Sequence, residues 1–181
     1  MKRDISVITA SSVHHRYIKE ILAAIHAASQ EKGVSIVMRD PDYLALKMDE
    51  GKAVIAIDGD EFVGFCYMES WENGQFIANS GLIVRPAYRG LGIASRIKAH
   101  IFRNCRAMFP KAKIFGITKS KAVITMNTRL GFREVPYSEL TVDPLFWKGC
   151  GTCPHYQKLI QNEMKTCDCH GLLYDSIWER T

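Results

Sequence analysis

The stretch Val84-Arg85-Pro86-Ala87-Tyr88-Arg89-Gly90-Leu91-Gly92-Ile93-Ala94 constrains this chain more than any other. An apolar run, Phe76 to Val84, precedes it, and a segment of helical periodicity, Ser95 to Phe109, follows. That order predicts a strand, a turn of small residues and a helix. A helix start exposes N–H groups without intrahelical partners at the positive end of the macrodipole, which suits a phosphate. Gly90, Gly92 and Ala94 keep side chains away from the backbone there, and Arg85 and Arg89 add positive charge. The same residues also fit a glycine-rich connection that binds nothing. They do not fit the common nucleotide loops. No Gly-Lys-Ser/Thr is present, and Ser95 stands where a dinucleotide fingerprint needs its third glycine.

The rest of the chain supplies elements of both kinds. Ile5 to Thr9 alternates as a strand, and Ser11-Ser12 caps a helix reaching about Gln30 with Ile18, Ile21, Leu22 and Ile25 as its buried stripe. Asp40-Pro41-Asp42 announces a second helix, about 41 to 50. Ala53 to Asp58 and Glu61 to Trp71 read as two strands around the turn Asp58-Gly59-Asp60. After the helix that opens at Gly92 come a strand at Lys113 to Thr118, a helix at Ala122 to Leu130 and a last strand at Phe132 to Tyr137. Hairpins first and a crossover later predict an α/β chain with a mixed sheet.

Two motifs carry a family resemblance. Arg89-Gly90-Leu91-Gly92-Ile93-Ala94, led in by Val84-x-Pro86-x-Tyr88, resembles the Arg/Gln-x-x-Gly-x-Gly/Ala signature of the GCN5-related N-acetyltransferases (GNAT). Leu130-Gly131-Phe132 is similar to that family's downstream Leu-Gly-Phe. The resemblance covers residues 5 to 140 and implies a mostly antiparallel mixed sheet flanked by helices. It implies acetyl-CoA, or another acyl-CoA, as donor and a small amine as acceptor. The pyrophosphate would rest on the backbone of Arg89, Gly90, Leu91, Gly92, Ile93 and Ala94. The pantetheine arm would pair with the backbone of Leu82, Ile83 and Val84 in the manner of an added strand. Dimers are common in the family, so a homodimer is a further expectation.

Proton handling departs from the family pattern. An ammonium must lose a proton before its nitrogen attacks a thioester. Many relatives place a glutamate on the strand before the pyrophosphate loop, where this chain reads Phe76-Ile77-Ala78-Asn79-Ser80-Gly81. Many also carry a tyrosine four residues before the glycine of Leu-Gly-Phe; that position is Asn127, which can bond the CoA sulfur but cannot donate a proton as a phenol does. Glu69 is the remaining candidate base, on a strand face shared with Phe65, Tyr67 and Trp71. A solvated strand glutamate is the competing reading. Tyr67 and Tyr137 are further relay candidates, and His14 and His15 are read as surface residues.

A second resemblance concerns the acceptor. Ile117-Thr118-Lys119-Ser120, Leu130 to Val135 and Ser138-Glu139-Leu140 are similar to the acetyltransferase domain of bacterial N-acetylglutamate synthases. That implies an amino acid such as glutamate as acceptor, for whose carboxylates Arg39, Lys119, Lys121, Arg129 and Arg133 are candidates.

The last 41 residues form a Cys-rich extension, 141–181, beyond a transferase domain spanning 1–140. Cys150-Gly151-Thr152-Cys153 and Cys167-Asp168-Cys169-His170 bring four thiols in two close pairs, a spacing that suits a structural Zn2+ stapling the tail. His155 or His170 can replace one sulfur. Free thiols and disulfides are the alternatives.

Charge and length exclude other classes. A net charge of +5, scattered over 181 residues, suits an anionic ligand without making a case for nucleic acid. Met1-Lys2-Arg3-Asp4-Ile5 lacks a signal-peptide run and no stretch is long enough to span a bilayer, so a cytoplasmic location without membrane contact is expected. The rival to an N-acyltransferase is a catalytically weak CoA-binding interaction module with a zinc-stapled tail.

Overall fold

A computed structural model of the chain describes residues 4–31, 36–153, 156–163, 165 and 167–180. Among them the strands are β1 (Ile5–Thr9), β2 (Ala53–Asp58), β3 (Glu61–Trp71), β4 (Phe76–Val84), β5 (Lys113–Thr118), β6 (Arg133–Val135) and β7 (His170–Tyr174). The helices are α1 (Ile18–Ser29), α2 (Pro41–Asp49), α3 (Ile93–Met108), α4 (Lys121–Arg129), α5 (Pro144–Lys148) and α6 (Tyr156–Gln161). The strands form one sheet in the order β1-β2-β3-β4-β5-β7-β6. Only the β4–β5 pairing is parallel, and α3 is its crossover.

The expected elements appear with small shifts. The first helix divides into a 3-10 turn, Ser12–Tyr17, and α1. Asp40 caps α2, its carboxylate accepting from the Asp42 and Tyr43 N–H groups at 2.8 and 3.3 Å, and Pro41 begins the helix without losing a donor. The strand β7 has no counterpart in the sequence-based prediction. It comes from the Cys-rich extension and lies between β5 and β6, pairing with both.

Apolar residues divide between the two sheet faces by period 2. One face carries α3 and α4 over Val54, Val63, Met68, Ile77, Ile114 and Leu172. Gly64 permits that approach, since a Cβ there would meet Ile83 O at 2.8 Å and Ile97 Cδ1 at 2.9 Å. The opposite face carries α1 and α2 over Ile55, Phe65 and Tyr67, and further along the sheet the extension packs Phe146 and Trp147 against Phe115. Among the described residues no helix is long and apolar enough to cross a membrane.

Candidate functional site

The site begins where β4 and β5 part. They pair only through Phe76↔Lys113, Ile77↔Ile114 and Ala78↔Phe115. Beyond Ala78, β4 stays with β3 as far as Val84 and β5 stays with β7 as far as Thr118. The sheet therefore opens into a wedge with one strand edge on each wall. A bulge in β4 shapes it, for the β3–β4 register shifts between Phe65↔Ile83 and Tyr67↔Ser80. Gly81 occupies the bulge at φ +66°, and a Cβ there would meet Tyr67 Cε1 at 2.6 Å. Leu82, Ile83 and Val84 follow along the β4 wall.

At the end of that wall the loop turns into α3. Gly92 is the helix N-cap at φ 75°, a conformation that favours glycine, and nothing lies within 4 Å of where its Cβ would stand. The N–H groups of Gly90, Leu91 and Gly92 make no backbone hydrogen bond among the described residues, and the helical ladder starts at Arg96 N to Gly92 O, 3.1 Å. Gly90, Leu91 and Gly92, with Ile93 and Ala94 in the first turn of α3, thus offer a cradle of amides without backbone partners, whereas the Arg89 N–H is taken by Pro86 O at 3.2 Å. The arginine side chains point elsewhere than expected. Arg89 holds Glu31, two residues past the end of α1, with both fork nitrogens (2.7 and 3.1 Å) and donates Nε to Val84 O at 3.2 Å. Arg85 donates to Phe62 O at 3.1 Å. Arg89 and Glu31 both line a cavity of about 270 Å³ with Ala24, Ala27, Phe62 and Ile83.

On the α2 side lies a network of polar side chains that sequence reasoning caught only in part. Glu69 Oε2 accepts from Tyr43 OH at 2.5 Å and pairs with Lys47 Nζ at 2.6 Å. Its Oε1 accepts from Ser70 N–H at 3.1 Å. Tyr67, 1 % exposed, receives a hydrogen bond from Arg39 Nε, and its ring meets Tyr43 edge-on at 5.6 Å. Burial foremost pushes the Tyr43 and Tyr67 phenols above the ordinary tyrosine value, and the neighbouring phenol and Glu69 add to the Tyr43 shift while Arg39 opposes both. Tyr43 and Lys47 sit four residues apart on α2, so one helix face delivers both to Glu69. The sequence signal for them was that helix face, opposite a strand glutamate.

The remaining expectations fall in different places. Asn127, 1 % exposed on α4, lies beside the β5 wall, its Nδ2 3.9 Å from the Cβ position of Gly116. Tyr137 packs in the aromatic cluster of the extension, where its hydroxyl donates to Cys169 O at 2.7 Å and burial raises it. His14 is buried rather than on the surface and accepts the Ser11 N–H at 3.0 Å, while His15 pairs with Asp49 at 2.9 Å. Of the carboxylate-binding candidates, Arg39 reaches the Glu69 network, whereas Arg133 stacks on the Trp178 ring at 4.5 Å.

The four-thiolate zinc site expected from spacing is not supported among the described residues. Among the described residues no group of three or more His, Cys, Asp and Glu side chains is placed to hold a metal ion. Among the described residues Cys150, Cys153, Cys167 and Cys169 form no disulfide, and all are half-buried. Cys150 and Cys167 pack into the aromatic cluster of the extension, and Cys167 Sγ lies 3.0 Å from Tyr137 OH. Burial, then neighbouring sulfurs, push the Cys150 and Cys169 thiols up to about 11 and about 12. His170 instead meets Glu134 at 2.7 Å, and His155 lies outside the described residues.

Known proteins share this fold. Residues 49–134 match the family model described as acetyltransferase (GNAT) domain. No curated protein matches the chain by sequence. Among solved structures, N-acetylglutamate synthase from Neisseria gonorrhoeae, complexed with coenzyme A and N-acetyl-glutamate, is similar with a TM-score of 0.67 at 17 % identity. The match covers 97 % of this chain and 36 % of that one, so this chain spans about a third of that relative. Rv2747 from Mycobacterium tuberculosis, in complex with CoA and NLQ, gives a TM-score of 0.66 at 16 % identity, covering 94 % of this chain and 98 % of that one. A phosphinothricin acetyltransferase from Sinorhizobium meliloti, in complex with AcCoA, gives 0.62 at 15 %, covering 94 % and 88 %. At such identities these likenesses speak for the fold, and residues 49–134, which carry the signature, match the family model itself; that segment is a GCN5-related N-acetyltransferase (GNAT) domain.

Proposed function

We propose that the chain is an acyl-CoA-dependent N-acyltransferase that moves an acetyl or other short acyl group to the primary amine of a small molecule, an amino acid such as glutamate being the favoured acceptor. The observation that carries this reading is the wedge: β4 and β5 separate after Ala78↔Phe115, and the free β4 edge leads to the amide cradle at Gly90 to Ala94. An extended pantetheine arm fits the edge at Leu82, Ile83 and Val84 as an added strand, and the pyrophosphate fits the α3 start from Arg89 to Ala94. The division into a transferase part, 1–140, and a Cys-rich extension, 141–181, belongs to the same proposal.

Glu69 is the base in this reading. Lys47 and Tyr43 occupy Oε2 and fix the carboxylate, while Oε1, among the described residues, takes only the Ser70 N–H and keeps a lone pair for the proton of the incoming ammonium. Tyr67 orients the acceptor beside it, and Arg39, held against Tyr67, suits an acceptor carboxylate. Asn127 attends the sulfur side. Support for an amino acid comes from Arg39 and from the N-acetyl-glutamate bound by the Neisseria relative. Mass spectrometry of products from acetyl-CoA and succinyl-CoA with amino acids and polyamines tests the acceptor; acylation of polyamines alone would discard the amino acid.

A CoA-binding module without turnover is the second reading. It draws on the engagement of Glu69 Oε2 by Lys47, which ties up half of the proposed base.

A further inference from the structure

The core between α3 and the sheet is apolar except in one region. Lys98, on the inner side of α3, is 3 % exposed, and among the described residues its ammonium makes no hydrogen bond or ion pair. It faces the Phe132 ring at 6.0 Å. The Cys105 thiol beside it donates to Asn79 Oδ1 at 3.2 Å, which fixes the orientation of that amide and leaves Asn79 Nδ2 buried without a partner. Asn127 Oδ1 is likewise buried without a partner, and the Asn127 carbonyl accepts the Phe132 N–H at 3.1 Å. Asn79 is the first β4 residue past the last β4–β5 pair, and Asn127 borders Gly116, the first β5 residue past it. An amide N–H and an amide oxygen, both buried without partners, and an ammonium set against the Phe132 ring therefore share the α3 face behind the point of the wedge. Buried polar groups without partners are costly, an unpaired charge most of all, so their retention here points to a ligand that completes them.

We propose that Lys98 is the acid that protonates the departing CoA thiolate, with Asn79 and Asn127 framing the thioester end of the pantetheine. This rests on the acyl-transfer reading above. The amine nitrogen of the acceptor bonds to the thioester carbon and loses its proton to the base; the C–S bond breaks, and the sulfur takes a proton from the Lys98 ammonium. Lys98 is left as a neutral amine and is reprotonated from solvent as CoA leaves. The chain has Asn127 where a phenol would do this work, and an amide cannot. Burial lowers Lys98 from the ordinary lysine value and makes it the stronger acid. The titratable groups facing it are the Cys66 thiol from β3 and the Cys105 thiol from α3, pushed up by burial to about 11 and about 12 and so neutral when Lys98 acts. Asn79, Asn127 and Phe132, from β4, α4 and the turn before β6, do not titrate.

The test is Lys98→Met in the full chain, since a methionine fills the same apolar space. Thiol release from acetyl-CoA is followed against pH, with the amino acids and polyamines as acceptors and with water alone. The expected result is a fall in kcat of about 100-fold with KM for acetyl-CoA within about twofold. Wild-type rate falls as pH rises through the Lys98 value, and the variant loses that alkaline limb. A purely structural lysine would shift stability and KM and leave the limb in place. A variant with wild-type kcat and limb overturns the proposal. If wild type releases no CoA from acetyl-CoA at all, the acyl-transfer reading fails and this one fails with it.

Discussion

Lys47 Nζ and Glu69 Oε2 stand 2.6 Å apart, with the lysine side chain 5 % exposed and the glutamate 20 % exposed. Removing one partner of a buried ion pair leaves the other uncompensated, so it costs more than removing both. Glu69→Gln should lower stability by about 3 kcal/mol, and Lys47→Met added to it should recover most of the loss. Urea unfolding of the two variants checks this. Equal midpoints for wild type and Glu69→Gln would contradict the pairing.

Gly81 meets Tyr67 in the β4 bulge. Gly81→Ala places a Cβ against Tyr67 Cε1 at 2.6 Å in a left-handed conformation, so the ring must leave its bond with Arg39. A loss of about 3 kcal/mol is expected in thermal or urea unfolding, together with weaker acceptor binding seen as a raised KM.

Gly92 is a different case, because its Cβ would point into open space. Gly92→Val should cost about 2 kcal/mol of backbone strain yet fold. Its affinity for CoA, read by isothermal titration, should fall by at least about tenfold as the side chain blocks approach to the cradle. Unchanged affinity would remove the pyrophosphate from this loop.

Arg89 gives Glu31 the hydrogen bonds that a phosphate would take. Those bonds hold the Glu31 carboxyl below the ordinary glutamate range. The sign follows from a folded value below the unfolded one: the pair contributes stability above the unfolded value, and the contribution is lost as pH falls through the folded value. Both side chains are well exposed, so the effect on unfolding is small. Glu31→Gln should flatten the acid side of the pH–stability curve and tighten CoA binding at low salt. Identical titrations for variant and wild type would mean that Arg89 serves only to tie α1 to the loop.

The hairpin β2–β3 and the run from β4 through α3 were legible because turn residues and apolar period agree there. Glu69 and Tyr67 were legible as one strand face. Lys47 and Lys98 were not, since a lysine in a helix pattern reads as solvated until packing shows which side it faces. His170 to Tyr174 escaped because a short strand between β5 and β6 is defined by partners distant in sequence. The cysteine spacing suggested a metal site, but the fold places Cys150 and Cys167 against aromatic rings and Tyr137.

Release of free thiol from acetyl-CoA, measured with and without added amines, tests the central claim most directly. An N-acyltransferase gives release that rises and saturates with an amine acceptor and yields one acylated amine per thiol. Tight CoA binding with no amine-dependent release would contradict it and leave a CoA-binding module in its place.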